Sequence, residues 1–321
     1  MRTIQLTRDR LIDLRYDKVF KAVFTQDTPA SRNALKALLE SSLNRRLDIV
    51  TVIANEPAVQ SEPDRQIRYD IACTFNGGEL ANIEMTLWPR GAEPIRIEYY
   101  LSRLFVSQKL SGTRDFADLK RSYQLSILGD NLYKDRHAIH YFEYHDPERK
   151  TVFGGRTAIV TLELKKLERL TGKQPETMSV QERWGLFLRY AAEPEQLGLV
   201  NRLLEIEEGI AMAGEAILQL PKSQIEEMRR ISREKYEVDQ RQARNDLKRA
   251  EEECRRIKEE CKRVEAERRQ AETALKQTEA ERKQAEAERE QAEAARKQAE
   301  LERDAALQEL AAFKKRIIPE L

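Results

Sequence analysis

The chain has 321 residues, and Lys+Arg 57 against Asp+Glu 56 leave a net charge of +1, so no whole-protein field draws it to nucleic acid and any such contact has to come from a local patch. No run of about 18 apolar residues occurs and the start carries no basic-then-apolar leader, which argues against a membrane span and against export. Cys73, Cys254 and Cys261 form no CxxC or framework spacing, which fits reduced thiols in a cytoplasm rather than a disulfide scaffold or a zinc site.

In chain order, Leu14–Phe24 and Ala30–Leu43 read as helices, the second entered through Pro29 and Ser31. Asp48–Ala54 is an apolar run suited to a buried strand, and Glu56–Asp64, with Pro57 and Pro63, reads as a loop. Gln66–Leu87 is a hairpin: Ile67, Tyr69, Ile71, Cys73 and Phe75 alternate with polar or small residues, Asn76-Gly77-Gly78 turns the chain, and Ala81, Ile83, Met85 and Leu87 alternate again. Pro94–Lys109 follows as a helix, then Ser122–Leu128, Ala138–Tyr144 and Ala158–Glu163 as strands, the last running into a Lys/Leu-rich helix. Strands alternating with helices predict an α/β or α+β domain with a mixed central sheet. Met178–Tyr190 and Leu197–Leu218 are apolar-periodic helices that extend it, and composition changes at Leu220-Pro221, after which no Gly or Pro occurs as far as Arg316. The expected organisation is therefore 1–172, a helical extension at 173–221, and a long charged helix at 222–321.

The hairpin sets up a local problem. Both apolar faces share one core only if Asp70 stands opposite Glu84, because a one-residue slip turns one strand's apolar set to solvent. That register needs the three-residue loop Asn76-Gly77-Gly78. Two carboxylates then lie side by side with Cβ atoms about 4.5–5.5 Å apart, a destabilising arrangement. A divalent metal, which takes hard oxygen ligands, is the expected compensation. Replacing either carboxylate relieves that repulsion in the metal-free state and is expected not to lower stability. Taken alone, such a pair is more often a solvated surface feature than a site.

Asp70 followed by Glu84-Met85-Thr86 resembles the active-site hairpin of the PD-(D/E)XK nuclease fold, in particular that of the Rpn-type recombination-promoting nucleases, also called PD-(D/E)XK nuclease family transposases. Tyr16–Phe24 resembles the family's opening helix, Tyr99–Arg103 with Gln108 and Gly112 its following helix, and Tyr123–Leu128 and Ile139–Tyr144 its later strands. The resemblance runs over residues 12–170. It implies a PD-(D/E)XK-like mixed central sheet flanked by helices, and a metal-dependent DNA endonuclease linked to recombination or mobile elements. By the same resemblance Asp70 and Glu84 are catalytic, Asp70, Glu84 and the Met85 carbonyl hold Mg²⁺ or Mn²⁺, and DNA is the partner. The family usually carries Gln or Lys two residues after the glutamate, where this chain has Thr86, which offers neither a cation nor an amide. Some branches of the fold supply that group from the next helix, where Gln108 and Lys109 sit. Asp17 resembles the acid that often completes the site, and it equally suits the positive end of a helix dipole. The alternative is a catalytically weakened nuclease fold that serves as a DNA-binding or assembly module on a coiled-coil stalk.

From Lys222 to Arg316 good helix formers dominate, and a heptad seam runs through Leu247, Ala250, Cys254, Ile257, Cys261 and Val264 to Leu310, Phe313 and Ile317. Between the apolar ends Ala alternates with Arg at the seam, and Gln recurs every seven residues at Gln270, Gln277, Gln284, Gln291 and Gln298. A helix of that length spans roughly 140 Å. Its acidic and basic residues nearly balance, which argues against a basic DNA-binding arm. Two readings stay open: a coiled-coil rod that joins copies of the chain into a homo-oligomer, or a solvated helical tail.

Overall fold

The first helix, α1 (Asp17–Phe24), buries Val19, Phe20, Val23 and Phe24 along one face. Leu14 and Tyr16, expected inside that helix or at its edge, are buried in the core just before it begins. Helix α2 (Pro29–Leu43) starts where the Thr28 hydroxyl accepts the Ser31 N–H at 3.2 Å, with Pro29 in the first helical position where its missing N–H costs nothing. Asn44, at φ 50°, closes it in the left-handed conformation. These elements belong to a computed structural model that describes residues 4–53, 68–108, 110, 112 and 115–317, the side chains of residues 313 and 315–317 excepted. The expected loop at 56–64, with Ala54, Gln66, Ile67 and Lys109, lies outside the described residues. The chain divides into two compact units, Met1–Glu237 and Val238–Leu321.

In the first unit six strands form one sheet: β1 (Thr51–Val52), β2 (Ile71–Phe75), β3 (Glu79–Thr86), β4 (Ser122–Leu128), β5 (Ile139–Phe142) and β6 (Thr157–Glu163), in the order β1-β2-β3-β4-β6-β5. The centre, β3-β4-β6, is parallel, and β1, β2 and β5 are antiparallel to their neighbours. The run 48–54 is not a buried strand. It shortens to a two-residue edge strand with Thr51 and Val52 exposed, because no further strand among the described residues covers that edge.

The hairpin has the register that its apolar pattern requires. Phe75 pairs with Glu79 across Asn76-Gly77-Gly78, and Ile71 pairs with Ile83. All three loop residues have positive φ (45°, 69° and 112°), a conformation that glycine adopts freely and asparagine more readily than other side chains. One step beyond Ile71↔Ile83 sets Asp70 opposite Glu84.

The two faces of the sheet are covered differently. Ile71, Cys73, Phe75, Ala81, Ile83 and Met85 join one large core with α1, α2 and the later helices. The other face meets α3 (Glu93–Val106) through a small cluster of Tyr69, Ala72, Leu80 and Leu104. Polar side chains at Asn82, Glu84, Gln124, Ser126, Thr161 and Glu163 are therefore buried on the α3 face.

Helices α4 (Val180–Tyr190), α5 (Leu197–Ile206) and α6 (Glu208–Gln219) extend the large core. The expected single helix over 197–218 is two, broken at Glu207, whose backbone is extended (φ −123°, ψ 109°). The Lys/Leu-rich segment Leu164–Leu170 is 3-10 rather than α-helical. Trp184 is fully buried with its ring 6.2 Å from Phe24 and 6.1 Å from Phe187. At Gly209 an added Cβ would stand 2.3 Å from the Ala37 Cβ, so α6 meets α2 more closely than any side chain allows. Among the described residues no helix is long and apolar enough to cross a membrane.

Helix α7 runs from Lys222 to Ile317. Its first turns belong to the first unit: Ile225 and Met228 are buried, and the Arg229 guanidinium donates to the Leu11 and Arg8 carbonyl oxygens, each at 2.8 Å. In the second unit every described side chain from 241 to 312 is exposed. Pairs such as Lys276–Glu272 (3.1 Å) and Lys297–Glu293 (3.2 Å) run along it, each stabilising a helix by about 0.2–0.5 kcal/mol. A chain ending at Pro221 is expected to melt well below one ending at Glu237, since it loses two buried apolar side chains, each contributing about 1.5–3 kcal/mol. Equal melting temperatures by circular dichroism would refute that assignment of the first turns.

Candidate functional site

Asp70 and Glu84 lie at the end of the hairpin far from its turn, and both are buried, at 8% and 5% exposure. On β3 the odd positions enter the large core, so Glu84 points with Asn82 and Thr86 to the α3 face. Asp70 stands just before β2, between Tyr69 of the α3-side cluster and Ile71 of the large core.

Backbone and side chains interlock the two acids. The Asp70 N–H donates to Glu84 Oε1 at 3.0 Å, and the Met85 N–H donates to Asp70 Oδ2 at 3.0 Å. The Asn82 amide also donates to Glu84 Oε1 at 3.0 Å and to Gln124 Oε1 at 2.9 Å, and Gln124 donates to Ser126 Oγ at 3.2 Å.

Two cations offset the charge. Lys21 Nζ, from α1, is 3.1 Å from Asp70 Oδ1. Arg96, in the first turn of α3, donates to Glu84 Oε2 at 2.9 Å and to Glu93 Oε1 at 2.8 Å, and its Nη1 is 3.3 Å from Thr86 Oγ1. Thr86 in turn donates to Glu93 Oε1 at 3.2 Å. The guanidinium carbon stands 5.0 Å from the centroid of the Tyr100 ring. Burial, and then the neighbouring Asp70, push the Glu84 carboxyl up to about 7, against the hydrogen bonds from Asn82 and Asp70 and the charge of Arg96. Burial pushes the adjacent Tyr69 phenol up to about 12. Among the described residues the Tyr69 hydroxyl and Asn82 Oδ1 have no hydrogen-bond partner.

Of the residues the sequence singled out, Asp70, Glu84, Met85 and Thr86 come together. Asp17 does not: its Oδ1 is 2.7 Å from Lys235 Nζ, and it is Lys21, one turn further along α1, that reaches Asp70. Gln108 does not either. Its side chain donates to the Lys120 carbonyl oxygen at 2.9 Å and accepts the Lys120 N–H at 2.8 Å, at the opposite end of β4 from Glu84. Sequence reasoning missed Lys21 and Arg96. For Arg96 a signal existed: a cation in the first turn of the helix after the hairpin, three residues past Glu93.

A family model for PD-(D/E)XK nuclease family transposases matches residues 14–247, and the chain belongs to that family. It matches no curated protein and no solved structure. PD-(D/E)XK nucleases generally use divalent metal ions. The donor set here suits a hard cation: two carboxylates side by side, one pushed up to about 7 by burial and then by the other, with an amide oxygen next to them that has no partner among the described residues. Among the described residues no three His, Cys, Asp or Glu side chains gather as a ready metal cluster, and Lys21 and Arg96 each hold one oxygen of the two carboxylates.

The expectation that either acid is removable at no cost changes with these contacts. Asp70→Ala leaves Lys21 and the Met85 N–H without their acceptor and should destabilise the fold. Glu84 behaves differently. Its folded-state value, about 7, lies above the ordinary 4.5. Its contribution is therefore fully present below about pH 4.5 and lost as pH rises through about 7. The stability lead of Glu84→Gln over the wild type should grow between pH 4.5 and 7.5, by on the order of 2–3 kcal/mol, in urea titrations without added metal. A lead that is flat or shrinks with pH contradicts the burial argument.

Proposed function

We propose that the protein is a metal-dependent DNA endonuclease that hydrolyses phosphodiesters in recombination or in the movement of mobile elements. The observation that carries this reading is the buried Asp70–Glu84 pair, face to face across a hairpin and bracketed by two cations, in a chain of this family. Asp70, Glu84 and the Met85 carbonyl would hold Mg²⁺ or Mn²⁺. A bound divalent ion supplies a water of lowered pKa and charge neutralisation at the phosphate.

The chain's own residues do the rest. Lys21 and Arg96 keep the two acids tolerable in a buried place when no metal is bound. Arg96 also stands where Thr86 leaves a gap, within 3.3 Å of the Thr86 hydroxyl. Its planar, permanently charged group is suited to bind a phosphate oxygen. Tyr100 beneath it and Glu93 beside it hold that plane in place.

Purified protein with Mg²⁺ or Mn²⁺ is expected to nick supercoiled plasmid. Glu84→Ala should reduce nicking by about 100-fold or more. Arg96→Gln should reduce it less, and Thr86→Lys in the Arg96→Gln background should restore part of the loss. Retained cleavage by Glu84→Ala assigns the activity to another site. The alternative, a weakened nuclease fold acting as a DNA-binding or assembly module, is favoured if wild type and Thr86→Lys both fail to cleave and calorimetry detects no metal binding.

For the second unit, self-association through its heptad seam is the favoured role, supported by Leu247, Ile257, Val264 and Leu310, all more than half exposed in the single chain. Sedimentation velocity of the full chain should show an oligomer that Ile257→Lys with Val264→Lys converts to monomer. A monomer at every concentration rejects this role.

A further inference from the structure

The carboxyl ends of the parallel strands carry a second polar construction that the carboxylate pair does not use. Glu163, at the end of β6, has no exposed surface. Its Oε2 accepts the N–H groups of Leu132 and Tyr133 at 2.7 and 3.2 Å, and its Oε1 is 2.9 Å from Lys166 Nζ. Lys166 also donates to the His137 carbonyl oxygen at 2.9 Å, and His140 Nε2 is 3.0 Å from Asp135 Oδ2. These bonds pin the loop after β4 against the segment after β6. Between them lies an open cleft of about 440 Å³, lined by Asn131, Tyr133, Lys134, Arg136, Lys166 and Arg169 among others.

Charge sorts unevenly in this region. Asp130 is paired with Lys165 (2.7 Å), Glu163 with Lys166 and Glu168 with Arg189 (2.7 Å), and Asp135, which lines the cleft, lies 3.0 Å from His140 Nε2 and 3.6 Å from Lys166 Nζ. Lys134, Arg136 and Arg169 are exposed and make no ion pair among the described residues. Lys134, Arg136, Arg169 and Lys166 thus face Asp135 and the adjacent Glu163 around one cleft, an excess of positive charge in a chain whose net charge is +1.

The cleft also sits at a definite place relative to the carboxylates. Thr86, Leu128 and Glu163 are level with one another across β3, β4 and β6. Two strand spacings, about 10 Å, therefore separate the end of β6 from the end of β3, where Glu84 lies two residues back. Duplex DNA rises about 3.4 Å per phosphate along one strand, so a backbone engaged at Glu84 carries phosphates past the cleft within about three nucleotides.

We infer that Lys134, Arg136 and Arg169 form a phosphate-backbone site for double-stranded DNA, which holds the duplex along the carboxyl edge of the sheet while Asp70 and Glu84 face the scissile bond. The inference rests on the endonuclease reading above. It assigns affinity to residues that take no part in bond cleavage. Such contacts are sequence-independent and position the duplex rather than read it.

The test is fluorescence anisotropy of a labelled DNA duplex of about 25 base pairs with the full chain, in metal-free buffer over a salt series. Replacing Lys134, Arg136 and Arg169 together by Gln should weaken binding at least tenfold at about 0.1 M salt. The slope of log affinity against log salt should shrink by about 2 to 3, since each phosphate contact contributes about 0.9. The melting temperature should not change, because these side chains make no ion pair among the described residues. Arg46→Gln, an exposed cation two residues before Asp48, whose N–H donates to Asn76 of the hairpin turn, should leave the slope unaltered. Wild-type binding that survives the triple substitution overturns this site and leaves the endonuclease reading intact. Failure of the wild type to bind duplex DNA overturns both. Tighter binding of the same duplex length in RNA also overturns the assignment.

Discussion

Two carboxylates are forced together by a hairpin whose register serves another purpose. The apolar alternation on β2 and β3 has to keep Ile71, Cys73, Phe75, Ala81, Ile83 and Met85 in one core, and the three-residue loop permits only the pairing that does so. Asp70 and Glu84 are then opposed whatever the electrostatic cost. The molecule answers with one cation from each face of the sheet: Lys21 from α1, which packs on the large core, and Arg96 from α3, which covers the other side. The site is in this sense a junction between the two layers. Its geometry depends on both helices being seated.

The asymmetry of the layers explains why polar groups collect where they do. One face of the sheet is sealed by α1, α2, α4 and α6 around Trp184, Phe20 and Phe24. The other has only α3 and a small apolar cluster. Residues under α3 have room to be Asn82, Gln124 and Ser126, and they bond to one another in a chain that ends on Glu84, with Asn82 Oδ1 left without a partner among the described residues. A buried polar ladder of this kind is sensitive to any single truncation, because each member lost leaves the next without a partner.

Charge compensation recurs at every scale of this protein. The chain is nearly neutral, the long helix pairs Glu with Lys and Arg along its surface, and Glu163 is neutralised by Lys166. Against that background a shifted titration and exposed cations without an ion pair are informative. Glu84, pushed up to about 7 by burial and by Asp70, and the exposed cations around Lys134 are departures from the general balance. Both lie at the carboxyl end of the parallel strands.

The order of helices and strands, the hairpin with its loop, and the opposition of Asp70 to Glu84 were legible in the sequence, because period-2 alternation and a turn signal are local and register follows from them. The long helix was legible too, since a stretch without Gly or Pro and rich in helix formers has little else to become. The break at Glu207 and the shortened β1 were not. Each depends on what packs beside it, and no local residue announces that. The partners of the carboxylates were the largest omission. Lys21 stands 49 residues before Asp70 and Arg96 twelve after Glu84. Only the seating of α1 and α3 on opposite faces brings those charges within 3.1 and 2.9 Å of the acids. Sequence determined which side chains share a strand face, because the backbone alternates. Tertiary structure alone decided which charges meet there, because ion pairs across layers follow helix packing and not spacing along the chain.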